Sequence, residues 1–297
     1  MIGVSSSVKR EAGVPVLAWG SVWDWVKYLA TPFPGHLRDM GYARELRQLG
    51  SRKERCQAAW RPHLERTRSL ILEAVDRCSR YDKVVIVGSG LLFDIPVAEL
   101  SKRFREVTLV DILHLWQVRT AVSAYSNVRL HPVDITGVVK EVHAAARGGG
   151  ALQMSECKPE FFLNDGIDLV VSANILSQLP VLPNGYASRW LNRRSPEQVK
   201  GFSRGLVINH LDWLASFTGN VCLIADLERL HCDGEKVVRR EQSLWGVELP
   251  EGGQEWMWEL APRPEIEWNR DIRHRVVGYA EFPKRVWLDQ RSTKAGA

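Results

Sequence analysis

Tyr81-Asp82-Lys83-Val84-Val85-Ile86-Val87-Gly88-Ser89-Gly90, running on to Thr108-Leu109-Val110-Asp111, is the stretch whose reading decides the fold. Lys83 to Val87 is dense in β-branched side chains and too short for a helix, which predicts a strand buried on both faces. It breaks at Gly88-Ser89-Gly90. Leu91 to Phe104 then carries helical spacing (Leu92, Ile95, Leu100, Phe104), and Val107 to Val110 is a second apolar strand that ends on Asp111. Together these make one βαβ unit. The glycines permit a sharp turn and a close approach of backbone to a ligand, and an acid about 20 residues further on can accept hydrogen bonds from ribose hydroxyls. The unit therefore points to a cofactor containing a nucleoside.

The turn also excludes cofactors. A dinucleotide site of the Gly-x-Gly-x-x-Gly kind needs a third glycine where this chain has Phe93, and no Gly-Lys-Ser/Thr follows to cradle a triphosphate. An adenosine without phosphate remains. On Val87-Gly88-Ser89-Gly90 and Leu109-Val110-Asp111 the chain resembles the class I S-adenosylmethionine-dependent methyltransferases. In that family the glycine loop follows strand 1 and the ribose acid ends strand 2. The resemblance implies contacts with S-adenosylmethionine from Gly88, Ser89, Gly90, Asp111 and its neighbour Ile112. One departure is Ile86, where the family often has an acid two residues before the first glycine, so the grip on the methionine end must come from elsewhere.

Downstream, Leu115, Val118, Val122 and Tyr125 have helical spacing, and Asn127 to Val133 is a third strand that Pro132 confines to an edge or a strand end. The resemblance places Asp134 at the adenine amine and Ile135 against the ring; the alternative is that Asp134 only caps the next helix. Ala144 to Gly150 reads as a flexible, low-complexity loop. Gly166 to Ala173 is a fourth strand leading to Asn174, which the resemblance sets near the transferred methyl, with Ser172, Gln178 and the Pro180–Tyr186 loop around the substrate. Asn174-Ile175-Leu176-Ser177 lacks the Asn/Asp-Pro-Pro-aromatic signature of the amino-methylating branch, which counts against methylation of nucleic-acid bases.

Ser195 caps a helix that begins at Pro196 and runs to Phe217, and Val221 to Asp226 is a fifth strand. Lys236 to Arg240 is polar. Alternation in Gln254–Leu260 and Arg275–Phe282 predicts a terminal hairpin. The expected fold is α/β: a doubly wound, Rossmann-like seven-stranded sheet with a terminal antiparallel hairpin and an N-terminal helical cap. Residues 1–80 form the cap and residues 81–297 the cofactor-binding domain. Within the cap, residues 14–30 crowd Trp19, Trp23, Trp25 and Tyr28 into a short helix or a lid. Residues 36–80 read as helical throughout, with Leu64, Ile71, Val75 and Cys78 on one face and Pro62 in a first turn.

A chain of 297 residues with 45% hydrophobic content can bury a large core, and a net charge of +5 is too modest to imply a nucleic-acid partner. Five cysteines without a Cys-x-x-Cys pair argue against a disulfide or zinc framework, and His231-Cys232-Asp233 has no second cluster to complete a metal site. No apolar run reaches the roughly 20 residues of a membrane span. These features set the expectation of a cytoplasmic enzyme with a small-molecule substrate and no metal. Methyl transfer from a sulfonium needs positioning more than acid–base groups. His36, His114, His210 and His231 are bases by residue type only, and none is assigned. The open alternatives are transfer of the cofactor's aminobutyrate or aminopropyl arm, a nicotinamide oxidoreductase, and a non-catalytic binding module.

Overall fold

In a computed structural model, which describes residues 33–148, 161–190 and 195–295, one mixed sheet carries the chain. The tryptophan-bearing segment 14–30 lies outside the described residues. The helices are α1 (Gly35–Met40), α2 (Tyr42–Arg55), α3 (Gln57–Asp76), α4 (Val97–Arg103), α5 (Trp116–Val122), α6 (Val139–Gly148), α7 (Val181–Trp190), α8 (Pro196–Ala215) and α9 (Lys284–Ala295). The strands are β1 (Lys83–Val87), β2 (Glu106–Asp111), β3 (Val128–Pro132), β4 (Leu169–Ala173), β5 (Asn220–Asp233), β6 (Lys236–Gln242), β7 (Gln254–Ala261) and β8 (Asp271–Tyr279).

The strand order is β3-β2-β1-β4-β5-β8-β7, with β6 paired to β5 outside that path. β1 to β5 are parallel, and β8 runs antiparallel between β5 and β7. The chain reverses its direction across the sheet between β1 and β4, which opens a crevice at the carboxyl ends of these strands. This is the doubly wound sheet with a terminal hairpin expected from the sequence, with eight strands instead of seven. The added strand is β6. β5 overshoots β4, and its free edge from Glu228 to Asp233 is taken up by β6, most of whose side chains are exposed.

Alternate residues of the strands fill two cores. Val85, Val87, Val110, Val170, Val221 and Leu223 pack on one face against α6, α7 and α8. Val84, Ile86, Val107, Leu109, Leu169, Val171, Cys222 and Ile224 pack on the other, against α3, α4 and α5. Helix α3 turns Trp60, His63, Thr67, Leu70, Ile71, Ala74 and Val75 onto the sheet, a spacing of three and four residues that defines one helical face. Gly278 lets it settle: a Cβ there would stand 2.3 Å from Cδ2 of Leu70.

Three local expectations are corrected. The helix expected over Leu91–Phe104 is confined to Val97–Arg103, because Leu92 adopts a positive φ of 63° and Pro96 occupies the cap. Ala144 to Gly148 belongs to α6, with Ala146 buried, while Gly149 and Gly150 lie outside the described residues. Pro62 stands inside α3, which begins at Gln57, and not in its first turn. Pro132 ends β3, the edge strand, as its missing donor requires.

Candidate functional site

The crevice is built by the loops that leave the carboxyl ends of β1, β2, β3 and β4. After β1, the amides of Gly88 and Ser89 both donate to the Val110 carbonyl, at 3.0 and 3.2 Å, which folds the loop back over β2. Gly88 has φ +77°, and a Cβ there would lie 2.7 Å from Cβ of Ile175 and 2.8 Å from the Ala173 carbonyl oxygen. Its lack of a side chain lets the loop press onto the end of β4. Gly90 also has positive φ, +49°, yet a Cβ on it would meet nothing closer than the Gly88 carbonyl oxygen at 3.8 Å. One glycine is needed for packing, and the other leaves open space in front of the backbone.

Asp111, at the end of β2, accepts from the Gly90 amide through Oδ2 and from the Ile112 amide through Oδ1, each at 2.8 Å. Its carboxyl is pushed up to about 6 by burial, against the opposing pull of these amides and that of Leu113. Even with three amides acting on it, the carboxylate keeps acceptor capacity for a further donor.

Asp134 is committed to the backbone. Oδ1 accepts from the amide and the hydroxyl of Thr136 (2.9 and 2.6 Å), and Oδ2 accepts from the Val139 amide (2.9 Å), at the start of α6. The capping alternative is thus realised, and one acceptor position by count remains on Oδ2. Ile135 is buried and Ile112 half-buried in the same core.

Asn174 ends β4 in a left-handed conformation, φ +51°. Its amide donates to the Ile224 carbonyl (3.0 Å), and its side-chain Nδ2 donates to Oδ2 of Asp94 (2.7 Å). Asn174 Oδ1 and the Ser89 hydroxyl are both buried with no hydrogen-bond partner among the described residues. Such orphans carry a cost of about 1–3 kcal/mol each, which a bound polar group can relieve. The glycine loop therefore offers open space beside two unpartnered polar atoms and a carboxylate, a donor and acceptor set that fits a polar, sugar-bearing cofactor.

Several contributors escape the sequence reading. Tyr42 opens α2 and reaches the site: its phenol is pushed up by burial and then by the nearby charges of Asp134 and Asp111. His36 of α1, which the sequence offers as a base by residue type only, is pushed down by burial and by His143 and Lys140, with Asp134 opposing. Asp39 fastens this corner, bonded to Nε2 of His143 (3.0 Å) and to Arg147 (2.7 Å). Asp94 replaces nothing in the glycine motif, yet lies against Asn174; its carboxyl is pushed up by burial.

None of the other histidines singled out by type bonds Asp111, Asp134 or Asn174. His114 is held at about 4 by burial, and His210, held at about 3, bonds the Ser172 hydroxyl inside the core at 2.9 Å. His231 sits on the far extension of β5 between Glu267 and Arg239. Among the described residues no group of His, Cys, Asp and Glu could hold a metal ion, and no helix is long and apolar enough to cross a membrane. Burial pushes the Cys222 thiol up, as for a core residue.

No family model matches the chain, and no curated protein matches it. Solved structures do. The complex of DhpI with SAM and HEP matches at 14% identity and a TM-score of 0.35, over 89% of this chain and 91% of its own. The Burkholderia thailandensis 1,6-didemethyltoxoflavin-N1-methyltransferase matches at 12% and 0.32, over 84% and 92%. The N-methyltransferase NodS of Bradyrhizobium japonicum matches at 13% and 0.31, over 86% and 96%. At such values, what this chain does has to be read from its own residues.

Proposed function

We propose that the chain is an S-adenosylmethionine-dependent methyltransferase acting on a small-molecule acceptor. The observation that carries this reading is Asp111: a buried carboxylate at the end of β2, tied to the amides of Gly90 and Ile112, which keeps acceptor capacity for a further donor. A ribose diol donating to Asp111 places adenine over β3, between Ile112 and Ile135, with the remaining acceptor position of Asp134 for its amine. The methionine end then lies over β1 and β4, beside Gly88, Ser89, Gly90 and Asn174. S-adenosylmethionine supplies an activated methyl on a sulfonium. The chain's residues bind and orient it, and His36 of α1 and Tyr42 of α2 cover the crevice and exclude water.

A cytoplasmic setting accords with the odd cysteine count. Phe93 in the third glycine position counts against a nicotinamide. Native mass spectrometry of the gently purified protein, with calorimetry against S-adenosylhomocysteine and NAD, tests the cofactor. A co-purifying adenosyl compound and micromolar binding of the thioether support the reading, and binding of NAD alone removes it. Product mass separates methyl transfer from transfer of the aminobutyrate or aminopropyl arm.

The reading sets a pH dependence. Ribose hydroxyls need an ionised Asp111, whose value in the folded chain is about 6. Affinity for S-adenosylhomocysteine should be level above pH 7 and about tenfold weaker at pH 5. The stability term has the opposite direction: Asp111 favours the folded state below its unfolded value of 3.8, and that contribution is lost as pH rises through about 6. A loss of affinity on acidification is therefore not unfolding driven by this group. Calorimetric titration between pH 5 and 8 checks it, and a flat profile contradicts the assignment.

A further inference from the structure

Between the loop after β1 and the end of β4, the crevice holds a carboxylate that neither the ribose nor the adenine contacts use. Asp94, in the loop between Gly90 and α4, accepts from Nδ2 of Asn174 at 2.7 Å. Asp94 and Asn174 are both half-buried, so both residues remain accessible. A Cβ on Gly90, in the same loop, would meet nothing closer than the Gly88 carbonyl oxygen, 3.8 Å away. The Ser89 hydroxyl and Oδ1 of Asn174 are buried and have no hydrogen-bond partner among the described residues.

These contacts decide what kind of group fits. Asn174 spends an N–H on Asp94 and is left with Oδ1, an acceptor that only a donor can satisfy. Asp94 has no ion-pair partner among the described residues, and Arg68, whose charge acts on it, donates to the Phe93 carbonyl instead. Burial pushes the Asp94 carboxyl up, against Asn174, its own amide and Arg68. A cation brought against it lowers it again, so such a ligand favours the ionised form and is favoured by it. The other carboxylates of the crevice are tied to backbone: Asp111 to the amides of Gly90 and Ile112, Asp134 to those of Thr136 and Val139. A carboxylate, an amide oxygen and a hydroxyl make three acceptors, as many as an ammonium has N–H groups.

We infer that Asp94, with Oδ1 of Asn174 and the Ser89 hydroxyl, receives the α-ammonium of the cofactor, so that the site selects S-adenosylmethionine by its amino acid. This inference rests on the methyltransferase reading proposed above, which lays the methionine end over β1 and β4. The sulfonium has no N–H or O–H, and the adenine amine is neutral and lies on the β3 side. The ammonium is therefore the cationic donor that the cofactor brings to this place. Held by its ribose at β2 and by its ammonium between β1 and β4, the cofactor is fixed on both sides of sulfur. The methyl then keeps one direction, which is the positioning that the transfer requires. Asp94 and Asn174 bind; neither takes a proton from the acceptor.

Calorimetry with the full chain tests this against S-adenosylhomocysteine, its analogue with hydrogen in place of the α-amino group, and 5′-methylthioadenosine, which lacks the whole amino acid. The parent should bind S-adenosylhomocysteine about tenfold to a hundredfold more tightly than the deaminated analogue, the range of a hydrogen bond to a charged group. Asp94→Asn keeps an acceptor for Nδ2 of Asn174 and removes the charge, so it should lose most of that preference. Its affinity for 5′-methylthioadenosine should stay within about twofold of the parent's, which also shows that the variant is folded. If the parent binds S-adenosylhomocysteine and the deaminated analogue alike, or if Asp94→Asn keeps the preference or weakens every ligand by the same factor, the inference fails while the proposed function stands. If the parent binds none of the adenosyl compounds, the proposed function fails and the inference with it.

Discussion

Replacement of Asp111 with alanine should remove measurable calorimetric binding of S-adenosylhomocysteine, a loss of at least about a hundredfold. A hydrogen bond from a hydroxyl to a buried carboxylate contributes roughly 1.5–3 kcal/mol, and two such bonds are at stake on the ribose. Each 1.4 kcal/mol is about tenfold in affinity. The substitution also frees the Gly90 amide, now 2.8 Å from Oδ2, so the glycine loop loses the contact that fixes its open side toward the ligand. Fold and binding should separate in this variant. Removing a carboxyl that burial has pushed up to about 6 relieves an unfavourable charge, which offsets the two orphaned amides, and the thermal midpoint should change little. The residual pH dependence of binding between 5 and 7 should vanish with the carboxyl. An affinity within threefold of the parent would refute the ribose role.

Much of the cofactor half was legible in the sequence because its signals are local. Four β-branched residues, two glycines and an acid at the end of the next strand specify a βαβ unit within about 30 residues, and the structure brings Gly90 and Asp111 together as that spacing demands. Asp134 was ambiguous for the same reason: a carboxylate before a helix serves either the backbone or a ligand, and only coordinates show three donors already on it. β6 left no periodic signal, since an exposed strand paired along one edge has no buried face to impose alternation. Ala144 to Gly148 looked like low complexity because alanine and glycine carry little pattern, although α6 buries Val139, Val142 and Ala146 on one face. The contacts of Ser177 and His274 with Asp226 were invisible for a deeper reason: they join distant segments of the chain, and nothing local to any of them indicates that they meet.

Trp60 joins distant segments in the same way through packing. It is 1% exposed, and its Nε1 donates to the Leu260 carbonyl (2.8 Å) across 200 residues of sequence. Its ring meets Trp258 edge to face, at 5.1 Å and 78°, and Trp258 in turn carries the stacked His63. Trp60→Ala removes a large buried ring and leaves a buried carbonyl without its donor, so a loss of about 3–5 kcal/mol is expected. For a chain of this size that lowers the thermal midpoint by roughly 10 °C. The shape of the transition matters as much as its position. If residues 33–80 were a lid resting on a finished domain, the variant would release them in a separate early step while the sheet melted unchanged. α3 instead covers the face of the sheet that holds Cys222, Ile224, Leu260 and Val276, so loss of Trp60 should move one cooperative transition, seen alike by far-ultraviolet circular dichroism and by tryptophan fluorescence. Two resolved transitions would mean that the N-terminal helices fold independently.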